Sequence, residues 1–339
     1  MNSNILIDTA ARMVAPGKGI LAADESSGTI QKRLNAVGVE STEQTRRDYR
    51  ELLFTAPEIE NYISGVILYD ETIRQSSSTN VAFPKLLEGR GILPGIKVDR
   101  GAKPLALHDA EKVTEGLDGL RERFVEYRAL GARFAKWRAV ITIGTGIPTQ
   151  DCIDANAHAL ARYAALAQEA DIVPIVEPEV LIDGDHDIDR CEAVTVRTFD
   201  RVFSELKNQR VLLEGMILKP SMVLAGKQAL RQSSVEEVAE ATLRTLLRTV
   251  PAAVPGIAFL SGGQTPEQAT AHLNAMNRRG PHPWQVAFSY ARALQNPVLE
   301  IWRGRAERAE AAASAFTRRA RLNHLARSGK YEPGMEKSA

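Results

Sequence analysis

The chain has 339 residues, 44% of them hydrophobic and 25% charged, an ordinary globular composition long enough to bury a large core. Its formal net charge of +1 provides no field that would point to nucleic acid or an anionic membrane as a partner. Two cysteines, Cys152 and Cys191, without CxxC spacing, exclude a disulfide framework and fit a cytoplasmic location.

The first stretch, MNSNILIDTAARMV, lacks the basic start, apolar run and cleavage site of a signal peptide. It reads as a short amphipathic helix with Ile5, Leu6, Met13 and Val14 available to one face. No apolar run approaches the ~20 residues that span a bilayer. Eight short apolar, β-rich runs follow in chain order: Ile20–Asp24, Ser64–Tyr69, Gly95–Asp99, Phe134–Val140, Ile172–Glu177, Met216–Lys219, Ile257–Ser261 and Gln285–Tyr290.

Helical patterns separate these runs. Leu117–Leu130 reads as a helix ended by Gly131. Ser234 and Glu237 form a capping box before the apolar series Val235, Val238, Ala239, Thr242, Leu246. Thr265, Pro266 and Gln268 supply an N-cap, a first-turn proline and its third-position partner. Pro297 is expected to start a long Ala-rich helix that stops near Gly329. The basic stretch Arg303–Arg327 interleaves Glu307 and Glu310 with few aromatics, so it reads as a solvated helical face and not a nucleic-acid helix.

Strands that alternate with helices imply right-handed crossovers and a parallel sheet. Eight such units predict an α/β fold, a closed (β/α)8 TIM barrel. Without a linker, residues 1–339 read as a single domain with an N-terminal helix and a short C-terminal tail from about residue 329. A doubly wound open sheet would need a nucleotide fingerprint, and Gly144-Thr-Gly146-Ile-Pro-Thr149 has Thr149 where the third glycine belongs. The acidic loop Asp183–Asp189 lacks the glycine and glutamate of a calcium loop and reads as solvated.

A strand buried on both faces should be a continuous apolar run. Five of these strands have charge near their C-terminal ends: Asp24; Lys97 and Asp99; Lys136 and Arg138; Glu177 with Glu179; and Lys219. Pairs spaced i, i+2 share a face, which turns Trp137 toward the helices. Barrel active sites sit at that end, so the cluster reads as a site. It contains no histidine, and a metal centre would show His or Cys ligands at short spacing. Lysines gathered inside apolar walls are expected to have lowered pKa values, and a neutral amine attacks carbonyls to form a Schiff base. Lys219 has the most apolar strand context, while Lys97 and Lys136 compete with it on these grounds.

Leu260-Ser-Gly-Gly-Gln264 follows the seventh strand, and Arg292 follows the eighth. Loops at these places bind phosphate in many barrels, where glycine lets backbone N–H groups approach closely.

The segments LAADESSGTIQKR (21–33), GIKVDRG (95–101), FAKWR (134–138), PIVEPE (174–179), LKPSMV (218–223), FLSGGQ (259–264) and FSYARAL (288–294) occur in one order over nearly the whole chain. In these motifs the sequence resembles the class I, Schiff-base fructose-1,6-bisphosphate aldolases. The resemblance implies reversible cleavage of the ketose to dihydroxyacetone phosphate and glyceraldehyde 3-phosphate, with no cofactor or metal and a homotetrameric assembly. It implies Lys219 as the imine-forming lysine and Glu177, with Glu179 nearby, as the acid/base carboxylate. Asp24 is implied to take the C4-hydroxyl proton, with Lys136 supplying positive charge between these groups. Ser261, Gly262 and Arg292 match the C1-phosphate site, and Arg33 lies near that side. Ser26, Thr29, Lys97 and Arg138 match positions that hold the C6-phosphate end or the adjoining hydroxyls.

Two departures stand out. Ala291 occupies the family's usual glycine, a tolerable change if the backbone there needs no positive φ. The sequence also ends at Lys337-Ser-Ala339, soon after Tyr331, where many family members continue to a terminal tyrosine that assists enamine protonation. Another group or water, a slow later half-reaction, and a truncated sequence all remain open. Sedoheptulose 1,7-bisphosphate and fructose 1-phosphate are alternative substrates, and a non-catalytic sugar-phosphate-binding scaffold is the alternative to an enzyme.

Overall fold

The structure, a computed structural model, describes residues 1–337. The eight apolar runs become parallel strands: β1 (Gly19–Ala22), β2 (Ile63–Leu68), β3 (Leu93–Lys97), β4 (Phe134–Ile141), β5 (Val173–Val180), β6 (Ile217–Leu218), β7 (Gly256–Phe259) and β8 (Gln285–Tyr290). They close in the order β1-β8-β7-β6-β5-β4-β3-β2, the barrel expected from the strand–helix alternation.

Alternate residues face opposite ways and form two apolar layers. Ile20, Ile67, Leu93, Phe134, Ile175 and Ile217 fill the barrel interior. Leu21, Val66, Ile96, Trp137, Val176 and Phe288 pack outward under the helices. The N-terminal helix Ser3–Met13 adds Leu6, Ala10 and Met13 to the inner layer and so plugs the foot of the barrel. Ile5 is 36% exposed, so it falls off the face expected for it.

Phe134 fills the interior only because its neighbours lack side chains. A Cβ on Gly65 would lie 2.9 Å from its ring, and one on Gly95 would overlap the ring. Gly95→Ala is therefore expected to destabilise the fold by about 1–3 kcal/mol, since a close-packed core must shift to admit a methyl group. A lowered urea midpoint would show this, and an unchanged one would contradict it.

Two expectations need correction, and one element was not foreseen. Pro297 does not start a helix: it lies inside Arg292–Trp302, and a second helix spans Ala309–Arg327. The break comes where Arg303 and Gly304 turn left-handed at φ 45° and 70°. The basic stretch is not wholly solvated either, because Arg319 and Arg327 are buried. Arg327 donates to the Ala15 carbonyl (2.8 Å) and to Gln285 Oε1 (2.8 Å), which ties the last long helix to the barrel foot. Arg319 pairs with Glu336 at 2.7 Å, and the buried Tyr331 donates its hydroxyl to Glu336 Oε1 at 2.9 Å. Residues 338 and 339 of the expected tail lie outside the described residues. Finally, a small antiparallel hairpin, Ala102–Pro104 with Lys112–Thr114, follows β3. Its strands are too short and polar to show a period.

The two decoy loops have structural uses. Thr149 caps the helix Gln150–Glu169 by accepting from Cys152 N, and Asp187 caps Ile188–Asn208 by accepting from Arg190 N. Cys152 and Cys191 are free and buried.

Candidate active site

Strand parity delivers the charged side chains to the interior. The Trp137 ring stacks on Tyr163 of the helix Gln150–Glu169 at 5.6 Å, so Lys136 and Arg138 point the other way. Lys97 lies beside Lys136 across β3 and β4, and Arg138 beside Glu177 across β4 and β5. Asp24 follows the end of β1 by two residues. Lys219 follows β6 directly, its backbone N–H donating to the Val176 carbonyl at 2.8 Å.

Four buried groups, two inside β4 and β5 and two just past the ends of β1 and β6, form an unbroken line. Lys219 Nζ lies 3.2 Å from Glu177 Oε1, and Glu177 Oε2 lies 3.2 Å from Lys136 Nζ. Lys136 Nζ then reaches Asp24 Oδ2 at 2.7 Å. The contact at Glu177 Oε2 is a charge contact without hydrogen-bond alignment. Burial alone would raise the Asp24 pKa, but the Lys136 ammonium, helped by Lys219, outweighs it and holds the carboxyl well below its usual range.

For Lys136 the expected lowering of a gathered amine is reversed. Burial favours the neutral amine, yet Asp24, Glu177 and Asp99 together hold the ammonium above its ordinary value. Lys97 has a carboxylate partner too, with Nζ 2.7 Å from Asp99 Oδ1 and donating to the Asp99 carbonyl at 2.9 Å. Lys219 faces the single carboxylate of Glu177, which it shares with Lys136.

Polar groups flank this line on two sides. Ser26 and Thr29 hydroxyls meet at 3.1 Å at the start of the helix Ser27–Ala36. Ser26 shares a cleft of about 500 Å³ with Lys97, Asp99 and Arg100. Arg138 Nε donates to Glu179, which leaves the guanidinium part-exposed between the two sides. On the other side lie Ser261, Gly262 and Gly263, the glycines at φ 56° and 86°, where a side chain would be strained. Arg292 opens the next helix and has no carboxylate within ion-pair distance among the described residues. Burial lowers its pKa, and the neighbouring Arg33 adds to the effect. Ala291 has φ −102°, outside the left-handed region that would call for glycine.

Glu25, next to Asp24, was not foreseen. It pairs with Arg33, lies 2.7 Å from Arg50 Nη2, and accepts from Gln295 Nε2 at 2.9 Å. It therefore fixes Arg33, which also donates to Asn296 at 3.1 Å. The only hint in the sequence is the adjacent pair of acids at the strand end.

The glycine loop has its own support. Gln264 Nε2 donates to the Ser261 carbonyl at 3.0 Å, and His272 Nδ1–H donates to Gln264 Oε1 at 2.6 Å. Burial pushes the His272 pKa down from 6.5 to about 4. Between these values the unfolded chain binds a proton that the folded chain lacks, so stability falls as pH drops through this window and levels off below it. Replacing His272 with Gln is expected to remove about 2–3 kcal/mol of this acid sensitivity. Urea unfolding of both proteins at neutral pH and at the low end of the window measures it; equal losses in both would contradict the assignment.

With this geometry in place, the comparison with known proteins is direct. Residues 5–339 match the family described as "Fructose-bisphosphate aldolase class-I". The chain belongs to the class I fructose-bisphosphate aldolases. It is 60% identical over 302 residues to "Probable fructose-bisphosphate aldolase class 1" of Xanthomonas campestris pv. campestris, covering 89% of this chain and 90% of that one. It is 51% identical over 329 residues to fructose-bisphosphate aldolase C of Rattus norvegicus, covering 96% and 91%. A solved fructose-bisphosphate aldolase from Plasmodium falciparum, in complex with TRAP and a small-molecule inhibitor, superposes with a TM-score of 0.97 at 48% identity. That match covers 98% of this class I aldolase chain and 96% of the other. Among the described residues no helix is long and apolar enough to cross a membrane, and no group of three His, Cys, Asp or Glu side chains is placed to hold a metal ion.

Proposed function

We propose that the chain reversibly cleaves D-fructose 1,6-bisphosphate to dihydroxyacetone phosphate and glyceraldehyde 3-phosphate through an imine on Lys219. The observation that supports this most is the line Lys219–Glu177–Lys136–Asp24, with spacings of 3.2, 3.2 and 2.7 Å. Of the three contending lysines, Lys136 and Lys97 are each matched by close carboxylates of their own. Lys219 is left with the Glu177 carboxylate that it shares with Lys136.

In this reading the neutral Lys219 amine attacks C2 of the open-chain ketose. Glu177, having taken the ammonium proton of Lys219 across their 3.2 Å contact, gives it to the carbinolamine hydroxyl, and water leaves to give the iminium ion. Asp24, kept ionised by Lys136, removes the C4-hydroxyl proton. The C3–C4 bond then breaks, its electrons pass into the iminium to form an enamine, and glyceraldehyde 3-phosphate departs. Protonation at C3 and hydrolysis of the imine release dihydroxyacetone phosphate and restore Lys219. Glu179 holds Arg138 beside this path.

Ser261, Gly262, Arg292 and the nearby Arg33 are read as holding the C1 phosphate. Ser26, Thr29, Lys97 and Arg138 are read as holding the C6 end. Two anchored phosphates fix the reacting carbons between Lys219 and Asp24, which removes much of the entropic part of the barrier. The barrel with its plugging helix and packed tail is read as one domain. The family resemblance further suggests a cytoplasmic homotetramer, and light scattering of the purified protein would find a species of four chains.

The test is a coupled assay of triose-phosphate formation from fructose 1,6-bisphosphate, run in excess chelator and beside sedoheptulose 1,7-bisphosphate and fructose 1-phosphate. Fructose 1,6-bisphosphate should have the highest kcat/KM, unaffected by chelator. Absence of cleavage for all three ketoses would overturn the enzyme reading.

A further inference from the structure

Between Lys219 and the helix Val235–Thr249 the chain crosses the rim of the barrel in a loop pinned to the loop that follows β5. Gly226 N donates to the His186 carbonyl at 2.8 Å, Lys227 N to Ile182 at 2.8 Å, and Gln228 N to Gly184 at 2.9 Å. The approach is so close that a Cβ on Gly226 would overlap the Gly184 carbonyl oxygen. The backbone of Lys227 is thus fixed, although its side chain is 42% exposed.

From that fixed root Lys227 reaches the glycine loop after β7. A Cβ placed on Gly263 would lie 3.0 Å from Lys227 Nζ and 3.4 Å from Arg292 Nη2. Two cations therefore flank one point, and the space between them stays open because Gly263, at φ 86°, has no side chain. Their opposing charge is thin. Arg292 has no carboxylate within ion-pair distance among the described residues, and Lys227 has Asp183 at 3.2 Å, itself 64% exposed. An exposed pair of this kind is worth little, whereas a phosphate dianion held by backbone N–H groups and a guanidinium offers a lysine a stronger charge-assisted bond.

We propose that Lys227 is a second cationic ligand at the glycine-loop rim. When a phosphate binds there, Lys227 releases Asp183 and closes on the phosphate opposite Arg292. It is a binding and specificity residue for the C1-phosphate half of the ketose, and it sets affinity without touching the reacting carbons. This rests on the Schiff-base reading above and adds to it a residue that the family motifs do not contain.

The test uses Lys227→Met and Lys227→Arg in the full chain, with the two triose phosphates as probes of the two ends. Lys227→Met is expected to raise KM for fructose 1,6-bisphosphate about tenfold with kcat within about twofold. The concentration of dihydroxyacetone phosphate that half-saturates borohydride trapping should rise by the same factor. Inhibition by glyceraldehyde 3-phosphate should not change, and Lys227→Arg should restore most of the lost affinity. An unchanged half-saturation for dihydroxyacetone phosphate would overturn the proposal. Equal weakening toward both triose phosphates would overturn it too, since it would place Lys227 in a general field or a structural role. Absence of trapping in the unaltered protein would instead remove the Schiff-base reading itself.

Discussion

Lys219→Met is expected to lower kcat for fructose 1,6-bisphosphate cleavage by on the order of 10⁵-fold, the scale of losing a covalent nucleophile. Methionine keeps the volume of the lysine stem in a site where Lys219 is 3% exposed. It removes the Nζ proposed to form the imine. Glu177 keeps Lys136 at 3.2 Å, so the variant is expected to fold and to bind substrate with KM changed by less than tenfold. A variant that retained a tenth of the original kcat would show that the covalent step proceeds on another residue.

Lys136→Met should have the next largest effect, on both activity and stability. Lys136 stands between two buried carboxylates, Asp24 at 2.7 Å and Glu177 at 3.2 Å. Removing one member of a buried charge cluster leaves the others without compensation, at a cost of about 3–5 kcal/mol. Asp24 would then lose the charge that keeps it ionised, so kcat should fall by on the order of 10³-fold, the scale of lost acid–base catalysis. The pH dependence separates this from simple misfolding. In the unaltered protein the depressed Asp24 pKa contributes stability that is present above its unfolded value and is lost as pH falls toward the folded one. The stability gap between the two proteins should thus be widest at neutral pH and narrow below about pH 4. A gap constant with pH would mean that Lys136 acts through packing alone.

The parts of the site that depend on strand parity were legible in the sequence. Lys136 and Arg138 flank Trp137, and a tryptophan on the helix side of a barrel strand leaves its neighbours no direction but inward. The same rule places Glu177 and Glu179 together, on a strand that runs on to Val180. Strand ends were less legible, because β6 keeps only Ile217 and Leu218 in its ladder and Lys219 follows as a single hydrogen-bonded residue.

What parity does not govern stayed hidden. Lysines crowded together suggested lowered pKa values, but Asp24 and Glu177 approach Lys136 from other strands and reverse the sign. Glu25 draws its partners from Arg33, Arg50 and Gln295, the last more than two hundred residues away in the chain. Lys227 lies in a loop whose course depends on backbone bonds to Ile182 and Gly184, which no local pattern encodes. Pro297 suggested a helix start, whereas the signal that decides the break is the left-handed turn at Arg303 and Gly304.

The central claim is that Lys219 forms the imine. Borohydride reduction of the unaltered protein with dihydroxyacetone phosphate, followed by peptide mass mapping, tests it most directly. The expected result is one reduced adduct on the peptide containing Lys219, absent from Lys219→Met. An adduct on Lys136 or Lys97, or none at all, would contradict it.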